Sequence, residues 1–176
     1  MRVSGHGWEP VAGTPRWAVI AAWATVWCVI PSSVWRSAAG FGAGLGMSDE
    51  WRELQRIPGT GTVYVLTLSV LSIAFASLTL GLVYPWGERI PPRVPLAGGR
   101  DLPTWLVAGL AMAGVVPLAV IVWLSIVNWD VLIGAAGRPT TGWTTLATAC
   151  YLPATLWPIL VTAVTFAYVR RRTAAE

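Results

Sequence analysis

LPTWLVAGLAMAGVVPLAVIVWLSIVNW, running from Leu102 to Trp129, holds no charged side chain and decides the fold. A helix needs about 20 apolar residues to cross a hydrocarbon core, and this stretch is longer than that. Three others of the same kind surround it: Trp17 to Trp35, Ile57 to Gly87 and Pro139 to Val169. Arginines and tryptophans fence all four. They consume most of the 176 residues, leaving little for a core outside the membrane. The expected fold is all-α, a four-helix transmembrane bundle running up-down-up-down. Its spans lie near 17–35, 61–85, 103–128 and 144–169, with a loop at 86–102, all within one integral membrane domain, 1–176.

The net charge of +4 does not mark a nucleic-acid surface. Every basic side chain is an arginine, and the arginines stand at span ends. Arg2, Arg16, Arg89, Arg93, Arg100 and Arg170 to Arg172 fall on one side, against Arg36, Arg52, Arg56 and Arg138 on the other. The positive-inside rule therefore predicts cytoplasmic termini and a cytoplasmic 86–102 loop. Trp17, Trp35, Trp86, Trp105, Trp129 and Trp143 fall at span ends, the depth an indole ring prefers. Ser37-Ala38-Ala39 offers a signal-peptide cleavage site after the first span. Trp35 and Arg36 directly before it, and the length of the run, favour an uncleaved span.

The first loop between spans carries its own pattern. Gly40 to Gly46 alternates glycine with small or apolar residues and reads as a connector, not a phosphate loop. Ser48 then offers an N-cap, Asp49 and Glu50 suit a first turn, and Pro58-Gly59 ends the segment. Trp51, Leu54 and Ile57 recur on one side, which predicts a short interfacial helix or a lid over the bundle.

Chemistry is sparse. The expected spans have no ionisable group at their centres, which argues against a proton-driven pump. His6 is the sole histidine, and Cys28 and Cys150 lack a CxxC partner, so metal and redox catalysis find no constellation. No cofactor is expected, and enzymatic activity is disfavoured. Hydroxyls run through the second span at Thr67, Ser69, Ser72, Ser77 and Thr79, as glue between or within helices. Ser77 with Gly81, and Gly109 with Ala113, permit close helix approach. Pro31, Pro117, Pro153 and Pro158 should kink their helices, the fourth span most of all. A faint repeat relates Pro58 to Gly61 with Pro139 to Gly142 ahead of spans two and four.

Three residue sets are candidates for binding. Arg36, Asp49, Glu50, Glu53 and Asp130 form an outer polar set, within which Arg36 and Asp130 would pair at the mouth of the bundle. Glu88, Arg89, Arg93 and Arg100 would contact a headgroup or a protein partner. Trp23, Trp27, Trp123 and Trp157 would form an apolar ligand wall.

The ending Pro31-Ser32-Ser33-Val34-Trp35-Arg36, the run from Leu80 to Pro91 (LGLVYPWGERIP) and Pro95 to Arg100 (PLAGGR) resemble small integral membrane proteins of actinobacteria. The resemblance implies a bacterial plasma-membrane address. It carries no activity, cofactor or catalytic residue with it. Two expectations follow: a non-catalytic accessory subunit or lipid- or partner-binding module, or a small transporter component for a hydrophobic or aromatic substrate. Membrane lipids are the expected partners, with a protein partner or homo-oligomer as the alternative and no nucleic acid.

Overall fold

A computed structural model describes residues 9–88, 102–135 and 141–174. Its regular elements are helical: α1 (Arg16–Gly40), α2 (Asp49–Leu54), α3 (Thr60–Leu78), α4 (Thr104–Val127), α5 (Trp129–Ala135), α6 (Thr141–Tyr151) and α7 (Trp157–Thr173). Short 3-10 segments follow α3 at Thr79–Leu82 and join α6 to α7 at Leu152–Leu156. Four helical stretches are long and apolar enough to cross a membrane: Arg16–Gly40, Thr60–Leu82, Thr104–Val127 and Gly142–Thr173, with mean hydropathies from 1.6 to 2.5. The protein is an all-α, multi-pass helical bundle.

The prolines act unequally. Pro31 and Pro117 sit inside α1 and α4, which continue past them. Pro153 stands in the 3-10 segment and Pro158 in the first turn of α7, so the fourth span is broken, as its sequence predicts. The first span corrects the sequence expectation in one respect. α1 runs on to Gly40, so Arg36 lies within the helix and not beyond its end.

Helix α2 forms for the expected reason. Ser48 Oγ accepts from the Trp51 amide at 3.2 Å, and Asp49 and Glu50 occupy the positive end of the dipole. Arg56, at φ 55°, takes the left-handed position after it. The Ile57 amide then reaches Arg52 O and the Arg56 amide reaches Glu53 O, both at 2.9 Å, a Schellman closure.

α1 is the hub, packed against α3 and α7 and also touching α6 and the 152–156 segment. The seam with α3 is close. A Cβ on Gly40 would stand 2.6 Å from Val65 Cγ2, and Thr62 Oγ1 donates to Gly40 O at 2.7 Å. α4 packs along α7, and no substantial seam joins α3 to α4. Only 6% of the most apolar part of α4 is buried, a face that water would penalise and acyl chains would not.

The main core lies toward the end of the bundle where α1 begins and α7 ends, here the terminal end. Ala18 and Ala22 of α1 meet Leu80, Leu82, Val83 and Tyr84 beyond α3, and Val164, Ala167 and Tyr168 of α7. Gly81 allows a tight return: a Cβ on Gly87 would stand 2.2 Å from Gly81 O. Thus Gly81 packs against the Trp86–Gly87 turn and not against another span, and Gly109 has open space around it. The small-residue approaches expected at these positions are absent from the described packing.

Candidate functional site

The opposite end, nearer α2, is built differently. A cavity of about 560 Å³ opens there among α1, α3, α4 and the broken fourth span. The break makes it. Once α6 ends at Tyr151, the Leu152–Leu156 segment tightens to 3-10 and the chain regains α geometry only at Trp157. Leu71, Phe75, Leu118, Ile121, Trp129 and Trp157 supply apolar wall. Ser32, Ser72, Ser125, Thr148, Tyr151 and Thr155 bring hydroxyls to the same space, and Arg36 brings the only charge among the lining residues.

Side chains on a helix lean toward its N-terminus, so Arg36 is directed back along α1 and away from the near end. Its Nε donates to Ser69 Oγ at 3.5 Å, and Nη2 donates to Ser33 Oγ at 3.2 Å and Ser72 Oγ at 3.3 Å. Ser69 and Ser72 stand on the middle turns of the Thr60–Leu82 span, which places the guanidinium beside the middle of an apolar helix. Both serines spend their own protons on α3: Ser69 Oγ donates to Val65 O at 2.8 Å and Ser72 Oγ to Leu68 O at 2.7 Å. Their lone pairs are then free to accept from Arg36. The Tyr151 ring lies 5.9 Å from the guanidinium carbon, a cation–π contact.

Serines and a ring solvate this cation without neutralising it. Among the described residues Arg36 forms no ion pair, and the Tyr151 side chain adds a polar contact to its ring contact. The pairing expected with Asp130 is not formed: Asp130 is exposed and does not line the cavity. The rest of the outer polar set stays apart as well. Asp49 pairs with Arg52 within α2, and Glu50 and Glu53 are exposed. No α2 residue lines the cavity, so α2 is not a lid over it.

The four tryptophans are dispersed. Trp27 and Trp123 are exposed, and Trp23 is half-exposed with its Nε1 donating to Tyr84 Oη at 3.1 Å. Trp157 alone of the four lines the cavity, packed on Cys28, Val29 and Ala76. The other aromatic walls are Phe75, Trp129 and Tyr151, and the ring centroids of Trp129 and Tyr151 lie 5.8 Å apart. Sequence reasoning missed these three, along with the service of Ser69 and Ser72 to Arg36. The signal available was their spacing: Ser69 and Ser72 stand three apart, on one face of α3.

Glu88 has a structural task. Its carboxylate forms an ion pair with Arg171, and Arg172 Nη1 stands 4.0 Å from its other oxygen. Arg171 also donates to Thr14 Oγ1 and to Leu82 O and lies over the Tyr168 ring. Arg172 donates to Thr104 Oγ1 at 3.2 Å and Leu102 O at 3.0 Å. Glu88 is thus turned into the bundle as a clamp on four chain segments, which removes it from the expected headgroup cluster. Arg89, Arg93 and Arg100 lie outside the described residues.

Fold and site together define a multi-pass helical membrane protein with an amphiphilic cavity between its apolar spans. Comparisons with protein-family models, curated proteins and solved structures find no match.

Proposed function

We propose that this protein is a non-catalytic membrane module that takes a lipid-like molecule from the bilayer into the Arg36 cavity. The observation that carries this reading is a cavity of about 560 Å³ within an apolar bundle, bordered by two helices that do not pack together. That volume falls inside the roughly 300–1,000 Å³ range of small-molecule sites. The gap between α3 and α4 gives acyl chains a lateral path to it. The binding end would face outward and both termini the cytoplasm of a bacterial cell, following the arginine distribution.

Native mass spectrometry of the chain extracted in mild detergent tests the reading. The expected result is a protein carrying a lipid adduct that is lost in Ser125→Phe, a variant that fills the cavity. A bare chain in both cases, with no saturable uptake of added lipid, would remove it.

A transporter for a hydrophobic or aromatic substrate is the second reading. It is favoured by the broken fourth span bordering the cavity, since interrupted helices build binding sites in many transporters. Flux of the bound molecule across proteoliposomes, dependent on the cavity, would move the assignment to this class.

A further inference from the structure

The geometry points to a ligand class for this cavity: a lipophilic monocarboxylate, a single alkyl chain whose carboxylate is received by the guanidinium of Arg36. The inference rests on the binding reading above and adds the chemistry of the occupant.

Charge comes first. The guanidinium lies beside the middle of an apolar span with Nε and Nη2 held by Ser69, Ser33 and Ser72 and Tyr151 against it, while no carboxylate among the described residues pairs with it. A cation in that position lacks one negative charge. A carboxylate supplies a single charge and matches the planar fork. A phosphate monoester would bring about 1.5–2 charges and leave an uncompensated excess in low dielectric. A neutral alcohol would leave the guanidinium as it is.

Size comes next. Cavity-lining positions on α4 run from Leu118 to Ile126, about 12 Å at 1.5 Å per residue. That approaches the depth of one leaflet, half of a hydrocarbon core of about 30 Å. The cavity suits one chain lying among Leu71, Phe75, Ile121 and Trp157, not a two-chain phospholipid. A volume of about 560 Å³ spread over that length is also too small for a partner's transmembrane helix, which measures about 10–12 Å across with its side chains. Ser125, Thr148 and Thr155 line the same space, and Tyr151 holds its ring against the guanidinium.

The test is saturation binding of radiolabelled hexadecanoate and hexadecanol to the full chain in phosphatidylcholine nanodiscs, with empty nanodiscs subtracted. Hexadecanoate is expected to bind saturably, one per chain, and at least tenfold more tightly than hexadecanol. Arg36→Gln should erase that difference and Arg36→Lys should restore part of it. If Arg36→Gln does not fold, the acid-to-alcohol ratio of the unmodified chain still decides. Equal binding of acid and alcohol, both lost in Ser125→Phe, would overturn the carboxylate assignment and leave the lipid-binding reading standing. Dodecyl phosphate binding more tightly than dodecanoate would also overturn it. No saturable binding of either chain would overturn both.

Discussion

The two ends of the bundle each hold a partly buried arginine, and they treat it in opposite ways. At the terminal end, Arg171 meets Glu88 and is packed beside Tyr168, Leu82 and Thr14. At the α2 end, Arg36 meets three serines and a tyrosine ring and borders an empty volume. The first arrangement satisfies itself, as a charge in low dielectric must if its task is structural. The second is complete only as solvation and not as neutralisation. Where a fold leaves a charge unneutralised beside a cavity, the missing counter-charge is best sought in a ligand.

The contrast makes its largest prediction at Glu88. Glu88→Gln leaves Arg171 buried without its partner and should cost about 3–5 kcal/mol of stability. Thermal unfolding in mild detergent would show this as a large fall in midpoint. Replacing both members, with Glu88→Leu and Arg171→Met, should recover most of the loss, because the orphaned charge goes with its partner. A double variant as unstable as the single one would mean that the hydrogen bonds to Thr14 and Leu82 do the clamping instead.

Much of this architecture is legible in sequence because bilayer physics is blunt. Long charge-free runs between arginines specify the four spans, Ser48 specifies the start of α2, and Pro153 with Pro158 specify the break. The site was legible only in pieces. Arg36 reads as a span-end arginine that would snorkel outward, but four more helical residues follow it and its side chain leans inward. Ser69 and Ser72 read as ordinary helix glue, because one chain's periodicity cannot show which face meets α1. The tryptophan set failed for a related reason. Trp23 and Trp27 share a face four residues apart, yet that face points out of the bundle at Trp27 and toward Tyr84 at Trp23.

Packing gives the middle of the scale. Gly87→Ala would drive a methyl group into Gly81 O, backbone that cannot move aside cheaply, and should cost about 1–3 kcal/mol. Gly109→Ala on α4 meets open space and should change the unfolding midpoint little, or raise it through helix propensity. Similar losses at both glycines would mean that α4 is covered by something in the folded protein, and cross-linking would then be the way to find a second copy or a partner.

The smallest expected effect is the most telling. Arg36→Met removes a charge that no carboxylate of the described chain neutralises, and leaves behind serines already bonded to their own helix. It also ends the cost of holding a cation beside the middle of an apolar span. What it forfeits is three charge-assisted hydrogen bonds, long at 3.2 to 3.5 Å, and one ring contact, a loss offset by that relief. Ligand-free stability should therefore be unchanged within about 1 kcal/mol, or higher, in the detergent assay that registers Glu88→Gln as a large loss. Added hexadecanoate should raise the midpoint of the unmodified chain and not that of the variant, since a ligand stabilises only the state that binds it. A loss at Arg36 as large as that at Glu88 would make the two ends alike, with Arg36 as the pin between α1 and α3. A neutral substitution that abolishes the hexadecanoate shift would separate them: one arginine holds the bundle together, and the other waits for a charge from the membrane.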